Sequence, residues 1–279
     1  MNDSRSWRQV NIAFPDWAQA EPTVLARLAP QLCAAETEGL IDAWFFVRKR
    51  PCWRVRYLAA AGAGAQARIE RHLDELTASR CIGGWTRAVY EPEVHAFGGA
   101  RAMAASHRLF HHDSRYLLAY LKDEDGAEPG HRREMSIMLC SILMRAAGQD
   151  WYEQGDVWAR VACHREPPDS CSPNAPGTLP AAVRRLMSVD AESQMRDSAP
   201  LAHAARWADA YNAAGRELTG LAAAGLLHRG LRDILAHHVI FAWNRLGLPY
   251  AAQAVLAATA KTAVFGPDPA TPPDANTGR

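Results

Sequence analysis

Several common functional signatures are missing from this chain of 279 residues. It contains no glycine-rich phosphate loop of the G-x-G-x-x-G or G-x-x-x-x-G-K-[ST] kind and no G-x-S-x-G nucleophile elbow, which disfavours nucleotide-driven and esterase-like chemistry. Excess charge of one sign is absent too. The 31 Lys and Arg nearly cancel the 30 Asp and Glu, leaving +1, so no global field marks the chain for nucleic acid or an anionic membrane. No window approaches the roughly 20 apolar residues of a membrane span, and Met1 to Arg8 carries no apolar stretch of the kind a secretory signal needs. The expectation is a cytoplasmic protein without a membrane partner. The six cysteines (Cys33, Cys52, Cys81, Cys140, Cys163, Cys171) are scattered and form no matched Cys-x-x-Cys pairs, so reduced thiols are expected and a structural metal site is not.

What is present is a chain that is 48% hydrophobic, long enough for one sizeable core. Trp7 to Phe14 alternates apolar and polar residues as a half-buried strand does, and Pro15 ends it. Val24, Leu25, Leu28 and Leu32 recur at helical spacing between Pro22 and Glu38. Ile41 to Arg48 and Trp53 to Leu58 are β-rich runs whose short separation suits an antiparallel hairpin. Ala65 to Ser79 is helical again, through Ile69, Leu73 and Leu76, and Gly84 to Tyr90 reads as a strand. The order βαββαβ is the ferredoxin-like pattern.

Beyond Gly98-Gly99 the patterns become long helices: Ala100 to Lys122, Arg132 to Ala147, Asp150 to Arg160, Leu201 to Leu226, Gly230 to Leu246 and Tyr250 to Phe265. The fold class is therefore α+β, a ferredoxin-like sheet followed by a mostly helical half, in one domain over 1–265. Arg165 to Pro180 is rich in proline and turn formers and reads as a surface loop, and 266–279 as a disordered tail.

Four stretches could carry chemistry. Arg54 and Arg56 lie two apart on a strand, so both guanidinium groups leave the same face; they make either an anion site or a solvated strand surface. Tyr90-Glu91-Pro92-Glu93-Val94-His95-Ala96-Phe97-Gly98-Gly99 leads from a strand into a helix, with Glu91 or Glu93 as an acid or base and His95 as a proton carrier. Glycines that merely make the turn, with solvated glutamates, are the plainer reading. His107 and His111 share a helical face but lack a third ligand, so no metal is expected, and Asp113 with Ser114 is read as orienting a neighbour. In His237 to Leu248, Asn244 and Arg245 with Gly247 suit a helix cap, whereas His238 sits one turn before Ala242 and shares its face.

Three segments, WFFVRKRPCWRVRYL, YEPEVHAFGGARAMAASHRLFHHDSRYLLAYL and HHVIFAWNRLGLP, occur in order within Trp7 to Leu248. Together they resemble the thiopeptide-type bacteriocin biosynthesis family, the stand-alone form of the elimination domain of lantibiotic dehydratases, related to thiopeptide pyridine synthases. The resemblance implies a precursor peptide, leader and core, as partner, with no cofactor and no nucleic acid in this step; a glutamylating subunit and self-association are compatible with it. It implies loss of glutamate from glutamylated Ser or Thr, with Arg54 and Arg56 serving the glutamyl group and Glu93 in catalysis; His95 and His238 are the nearby groups read beside them as catalytic, and Tyr90, Asn244 and Arg245 as substrate-binding. Two positions depart from the elimination pattern: Ala96 stands where an arginine is usual, and Ala242 where a histidine is. The resemblance therefore also implies two other readings: a [4+2] cycloaddition of two dehydroalanines with leader release, and a non-catalytic partner of the leader or dehydratase. In the last, an open sheet accepts the peptide as an added strand.

Overall fold

The computed structural model describes residues 6–60, 64–123, 131–166, 179–188 and 204–267. Strands β1 (Trp7–Ala13), β2 (Ile41–Lys49), β3 (Cys52–Ala59) and β4 (Gly84–Ala88) form a sheet in the order β2-β3-β1-β4, all antiparallel. This is the ferredoxin-like arrangement that the element order predicts. Helices α1 (Ala20–Thr23) and α2 (Ala29–Thr37) run into one another through a π-turn over Val24–Leu28, where the Ala29 N–H reaches back to the Val24 carbonyl. The widened turn has a local cause. Pro30 has no N–H to give to the carbonyl four residues back, so an ordinary α-helical ladder is interrupted there.

One sheet face carries Val10, Ile12, Trp44, Phe46, Trp53, Val55 and Tyr57, all buried against α2 and α3 (Gly64–Ala78), whose Leu32, Ile69, Leu73 and Leu76 join the same core. The opposite face, with Phe45, Val47, Arg54 and Arg56 in register, turns toward the helical half. Because β2 is covered on both faces, Trp44 to Val47 reads as a continuous apolar run rather than an alternating one.

The helical half comprises α4 (Ala100–Asp123), α5 (Arg132–Ala146), α6 (Trp151–His164), α7 (Leu179–Ser188), α8 (Ala205–Ala223), α9 (Leu231–Leu246) and α10 (Tyr250–Phe265). Helix α4 lies along the outer edge of β2. His111 Nδ1 is within hydrogen-bond reach of Trp44 N at 3.2 Å and Trp44 O at 3.0 Å, and Phe46 N donates to Ser114 Oγ at 3.3 Å. Side chains thus occupy backbone groups that an edge strand would otherwise present to another chain.

Helix α7 differs from the sequence expectation of a loop up to Pro180. It begins at Leu179, with its proline in the first turn where a missing N–H costs nothing, and buries Val183 and Met187. Residues 167–178 of that loop, 201–203 of the predicted Leu201 helix, Cys171 and 268–279 of the tail lie outside the described residues. The other five cysteines are free thiols, and no helix among the described residues is long and apolar enough to cross a membrane.

Candidate functional site

The paired arginines of β3 lie on the sheet face that meets α4 and α9. Arg56 stands opposite Gln9 on β1 and Phe45 on β2; Arg54 stands opposite Asn11 and Val47. The two differ in freedom. Arg56 is 8% exposed, donates from Nε to Gln9 Oε1 at 2.7 Å, and lies 5.2 Å from the Phe45 ring centre and 4.4 Å from that of Tyr90. Gln9 is itself held by a 2.9 Å bond from its amide to Asn11 Oδ1. Arg54 is half-buried and makes no hydrogen bond or ion pair among the described residues, so its guanidinium is free to meet an anion.

Tyr90 follows the end of β4 and closes this side. Its hydroxyl pairs with His107 Nε2 of α4 at 2.8 Å, and Trp7 packs on both rings, 4.7 Å from His107 and 6.3 Å from Tyr90. Burial pushes the Tyr90 phenol up to about 12 and, together with the Arg56 charge, holds the His107 imidazole down to about 4. At neutral pH both are uncharged, beside the charged guanidinium of Arg56.

The turn after Tyr90 is set by its two glycines. Gly98 (φ +84°) and Gly99 (φ +110°) adopt backbone conformations that side chains disfavour, and a Cβ on Gly98 would come 2.3 Å from Ile234 Cδ1. Their close approach docks the start of α4 on the start of α9, reinforced by His228 N donating to Gly98 O at 3.0 Å. Glu93 and His95 are consequently presented to solvent at the rim, and neither makes a side-chain hydrogen bond or ion pair among the described residues. Burial lowers the proton affinity of Arg56 and His237 and raises that of Tyr90, and the Glu93 charge is close enough to add a smaller upward pull on each.

From α9, His237 and His238 both reach the aromatic cluster formed by Phe97, Phe110 and Phe241. His238 is 2% exposed, and burial holds its imidazole down to about 3. Ser106 donates its hydroxyl proton to Ala102 O, so its oxygen accepts from His238 Nε2 at 3.2 Å. That leaves a lone pair on His238 Nδ1 buried without a partner. His237 is half-buried, and its Nδ1 lies 3.0 Å from Asp233 O, a carbonyl that can only accept. Its Nε2 therefore keeps a free lone pair, and burial lowers its affinity for a proton.

Of the remaining predicted residues, Arg245 backs the Phe110 ring of this cluster at 4.5 Å, and Asn244 lies elsewhere. Arg245 is fully buried and pairs through Nε with Asp113, which also accepts from Trp207 Nε1 at 2.7 Å and Tyr211 OH at 2.8 Å. It is a core ion pair joining α4, α8 and α9, whereas Gly247 (φ +74°) supplies the left-handed cap. Asn244 accepts from Gln253 Nε2 at 3.2 Å and faces a cavity with Arg48 and Arg50. His111 is spent on the β2 edge, and no group of three or more His, Cys, Asp and Glu suited to a metal occurs among the described residues. Sequence reasoning missed Gln9 and Trp7, and His107 as the Tyr90 partner. The alternation of β1 that puts Trp7 and Gln9 on the arginine face was the available signal for the first two.

The profile of the family described as "Lantibiotic biosynthesis dehydratase C-term" matches residues 7–264. No curated protein matches the chain. Among solved structures, the tRNA-dependent lantibiotic dehydratase MibB from Microbispora sp. 107891 aligns with a TM-score of 0.68 at 18% identity, over 95% of this chain and 28% of MibB. TsrL aligns at 0.63 and 15% identity over 93% of this chain and 94% of its own. TbtD, a pyridine synthase from thiomuracin biosynthesis, aligns at 0.60 and 12% identity, over 94% of this chain and 98% of TbtD. At these identities the structures establish a shared fold, and the chain spans little more than a quarter of MibB.

Proposed function

We propose, for a chain that belongs to the lantibiotic biosynthesis dehydratase C-terminal family, that it removes glutamate from glutamylated Ser or Thr of a ribosomally made precursor peptide. The observation that carries this reading is the strand pair Arg54 and Arg56, with Arg56 held rigid by Gln9 and Tyr90 while Arg54, on the same strand face, stays unpaired among the described residues. A preorganised cation aimed at a departing carboxylate stabilises charge as it develops, and it does so most where water is excluded.

In the step envisaged, the free Nε2 of His237 takes the Cα proton. The electron pair forms the Cα=Cβ bond, the Cβ–O ester bond breaks, and glutamate leaves as a carboxylate held by Arg54 and Arg56. Glu93 suits the ammonium group of the glutamyl moiety. Serine yields dehydroalanine and threonine dehydrobutyrine. His95, exposed at the rim, is placed to carry protons to solvent, and His238 to fix the aromatic wall against which the peptide lies.

A second reading rests on Ala96 and Ala242. Ala242 is 1% exposed in the core and Ala96 packs beside the Phe97 cluster, so neither position offers a group that moves protons or binds a carboxylate. This favours a cycloaddition, which depends on holding two dehydroalanines together more than on an acid–base pair. A purely binding role with the peptide added to the sheet would have to use the β4 edge, because α4 occupies the β2 edge.

Mass spectrometry of a glutamylated precursor incubated with the protein separates these readings. Loss of glutamate is expected, and Arg54→Ala with Arg56→Ala should abolish it. Unchanged turnover in the double variant would remove both arginines from the mechanism. Conversion of a dehydrated peptide with leader release would replace elimination by cycloaddition.

A further inference from the structure

A polar cavity of about 340 Å³ opens beyond the β2-β3 turn, on the sheet face opposite Arg54 and Arg56. Its walls are Trp17, Arg48, Arg50, Trp53, Asn244 and Tyr250. The hydrogen-bond inventory there is lopsided. Glu21 supplies a carboxylate, and its oxygens are taken by Arg48 Nη1 and by Arg132, which donates to Oε1 at 2.6 Å and Oε2 at 3.0 Å. Against it stand donors with no acceptor: Arg48 Nε and Nη2, Arg132 Nε and the indole Nε1 of Trp53, all buried.

The Arg48 side chain is 9% exposed and stacks 4.5 Å from the Trp53 ring centre, so the guanidinium is fixed in plane while its Nε/Nη2 edge is unspent. Burial lowers its affinity for a proton only to about 10, and it stays charged at neutral pH. Arg50 lies over Trp17 at 5.3 Å and pairs with no carboxylate among the described residues. The Asn244 side chain accepts from Gln253 through its oxygen, leaving its NH₂ to donate. Helix α10 begins at this cavity with no side-chain cap, adding unsatisfied backbone N–H groups and the positive end of its dipole. Three arginines and an uncapped helix start thus surround one glutamate whose lone pairs are engaged.

We propose that this cavity is a carboxylate-binding site, in which a planar anion meets the Arg50 guanidinium, the Asn244 amide and the uncapped start of α10, with the buried charge of Arg48 behind them. A carboxylate matches the two-donor edge of a guanidinium, and aromatic walls suit the aliphatic stem that carries an acidic group. The site is separate from the elimination reading and stands or falls without it.

The test is a ¹⁵N NMR titration of the full chain with N-acetylglutamate N-methylamide, in parallel with its glutamine counterpart, sodium glutamate and inorganic phosphate. Saturable shifts of the Trp53 indole and arginine Nε signals are expected with the carboxylates. The neutral glutamine isostere should bind at least about tenfold more weakly, the scale of a lost charge-assisted hydrogen bond. Free glutamate binding as tightly as the blocked form identifies a free acid as ligand; preference for the blocked form identifies an acidic residue within a peptide. Arg48→Gln disturbs a buried ion pair, so Arg50→Ala and Asn244→Ala carry the test, each weakening binding about tenfold with an unchanged thermal midpoint. Equal binding of the glutamine isostere, unchanged affinity in both variants, absence of saturation, or phosphate binding with the carboxylates silent would each overturn the proposal.

Discussion

Adjacent on α9, His237 and His238 meet opposite surroundings, and their difference is measurable. His238 donates to Ser106 inside the core, and its imidazole is held down to about 3, so folding keeps it neutral where an unfolded chain would protonate it. Its contribution to stability is fully present above the ordinary histidine value of about 6.5 and is lost as pH falls toward about 3, at up to about 1.4 kcal/mol per pH unit. His107, held at about 4, adds a loss of the same sign. Urea denaturation between pH 7 and pH 4 should therefore show a flatter acid limb for His238→Asn than for the parent chain. The elimination step places the working lone pair on His237, whose affinity for a proton burial lowers. The acid limb of kcat/KM should then have its midpoint below about 6.5 and disappear in His237→Gln, at much reduced rate. A pH–rate profile that instead changes only in His238→Asn would transfer the role to the buried ring. The sequence made the Arg54 and Arg56 face legible, because strand alternation is local. It could not distinguish the two histidines, because their partners Ser106 and Asp233 matter only through the burial that the tertiary packing imposes.

At the level of elements, α4 determines how the two halves meet. Its 24 residues present His111 and Ser114 to β2, His107 to Tyr90, Ser106 to His238 and Asp113 to Arg245. Helical spacing made α4 readable as a helix and suggested that Asp113 orients a neighbour. The neighbour itself was hidden, since Arg245 lies 132 positions away and equally suits a helix C-terminus. Removing one partner of a buried pair leaves the other charge unsolvated, which costs more than the pair contributes. Asp113→Ala should accordingly destabilise the fold by about 3–5 kcal/mol, measured as a lower urea midpoint, because it orphans Arg245, Trp207 Nε1 and Tyr211 OH together. A loss within about 0.5 kcal/mol, the usual range of surface substitutions, would show that the α4–α8–α9 junction does not depend on this carboxylate. Helix α7 was missed although Leu179, Val183, Leu186 and Met187 recur at helical spacing, because the proline-rich run before it read as loop; it packs its apolar side on α5 and α10.

Over the whole molecule, the sheet and the helical half look separable in the sequence, with Gly98-Gly99 as the change of character, and the structure joins them at every level. A single apolar cluster runs from Val10 and Trp53 in the sheet through Leu117 and Leu139 to Trp243 and Leu256. The second face of the sheet depends on the helical half for much of its cover: Trp7 and Tyr90 pack on Phe45 from the sheet side, but Met103 and Phe110 of α4, with Phe97 between, complete the burial of Phe45 and Val47. A fragment ending at Gly99 keeps all four strands and the βαββαβ order, yet it exposes those two side chains and frees the backbone of Trp44 and Phe46 along the β2 edge. An apolar sheet face bordered by an unpaired edge strand associates with other chains in preference to folding alone. Residues 1–99 expressed by themselves should therefore give a collapsed ¹H–¹⁵N spectrum and sediment as aggregates, while the full chain unfolds in one cooperative transition with matching calorimetric and van't Hoff enthalpies. A dispersed spectrum from a monomeric 1–99 fragment would show that the sheet is an independent unit on which the helical half merely docks.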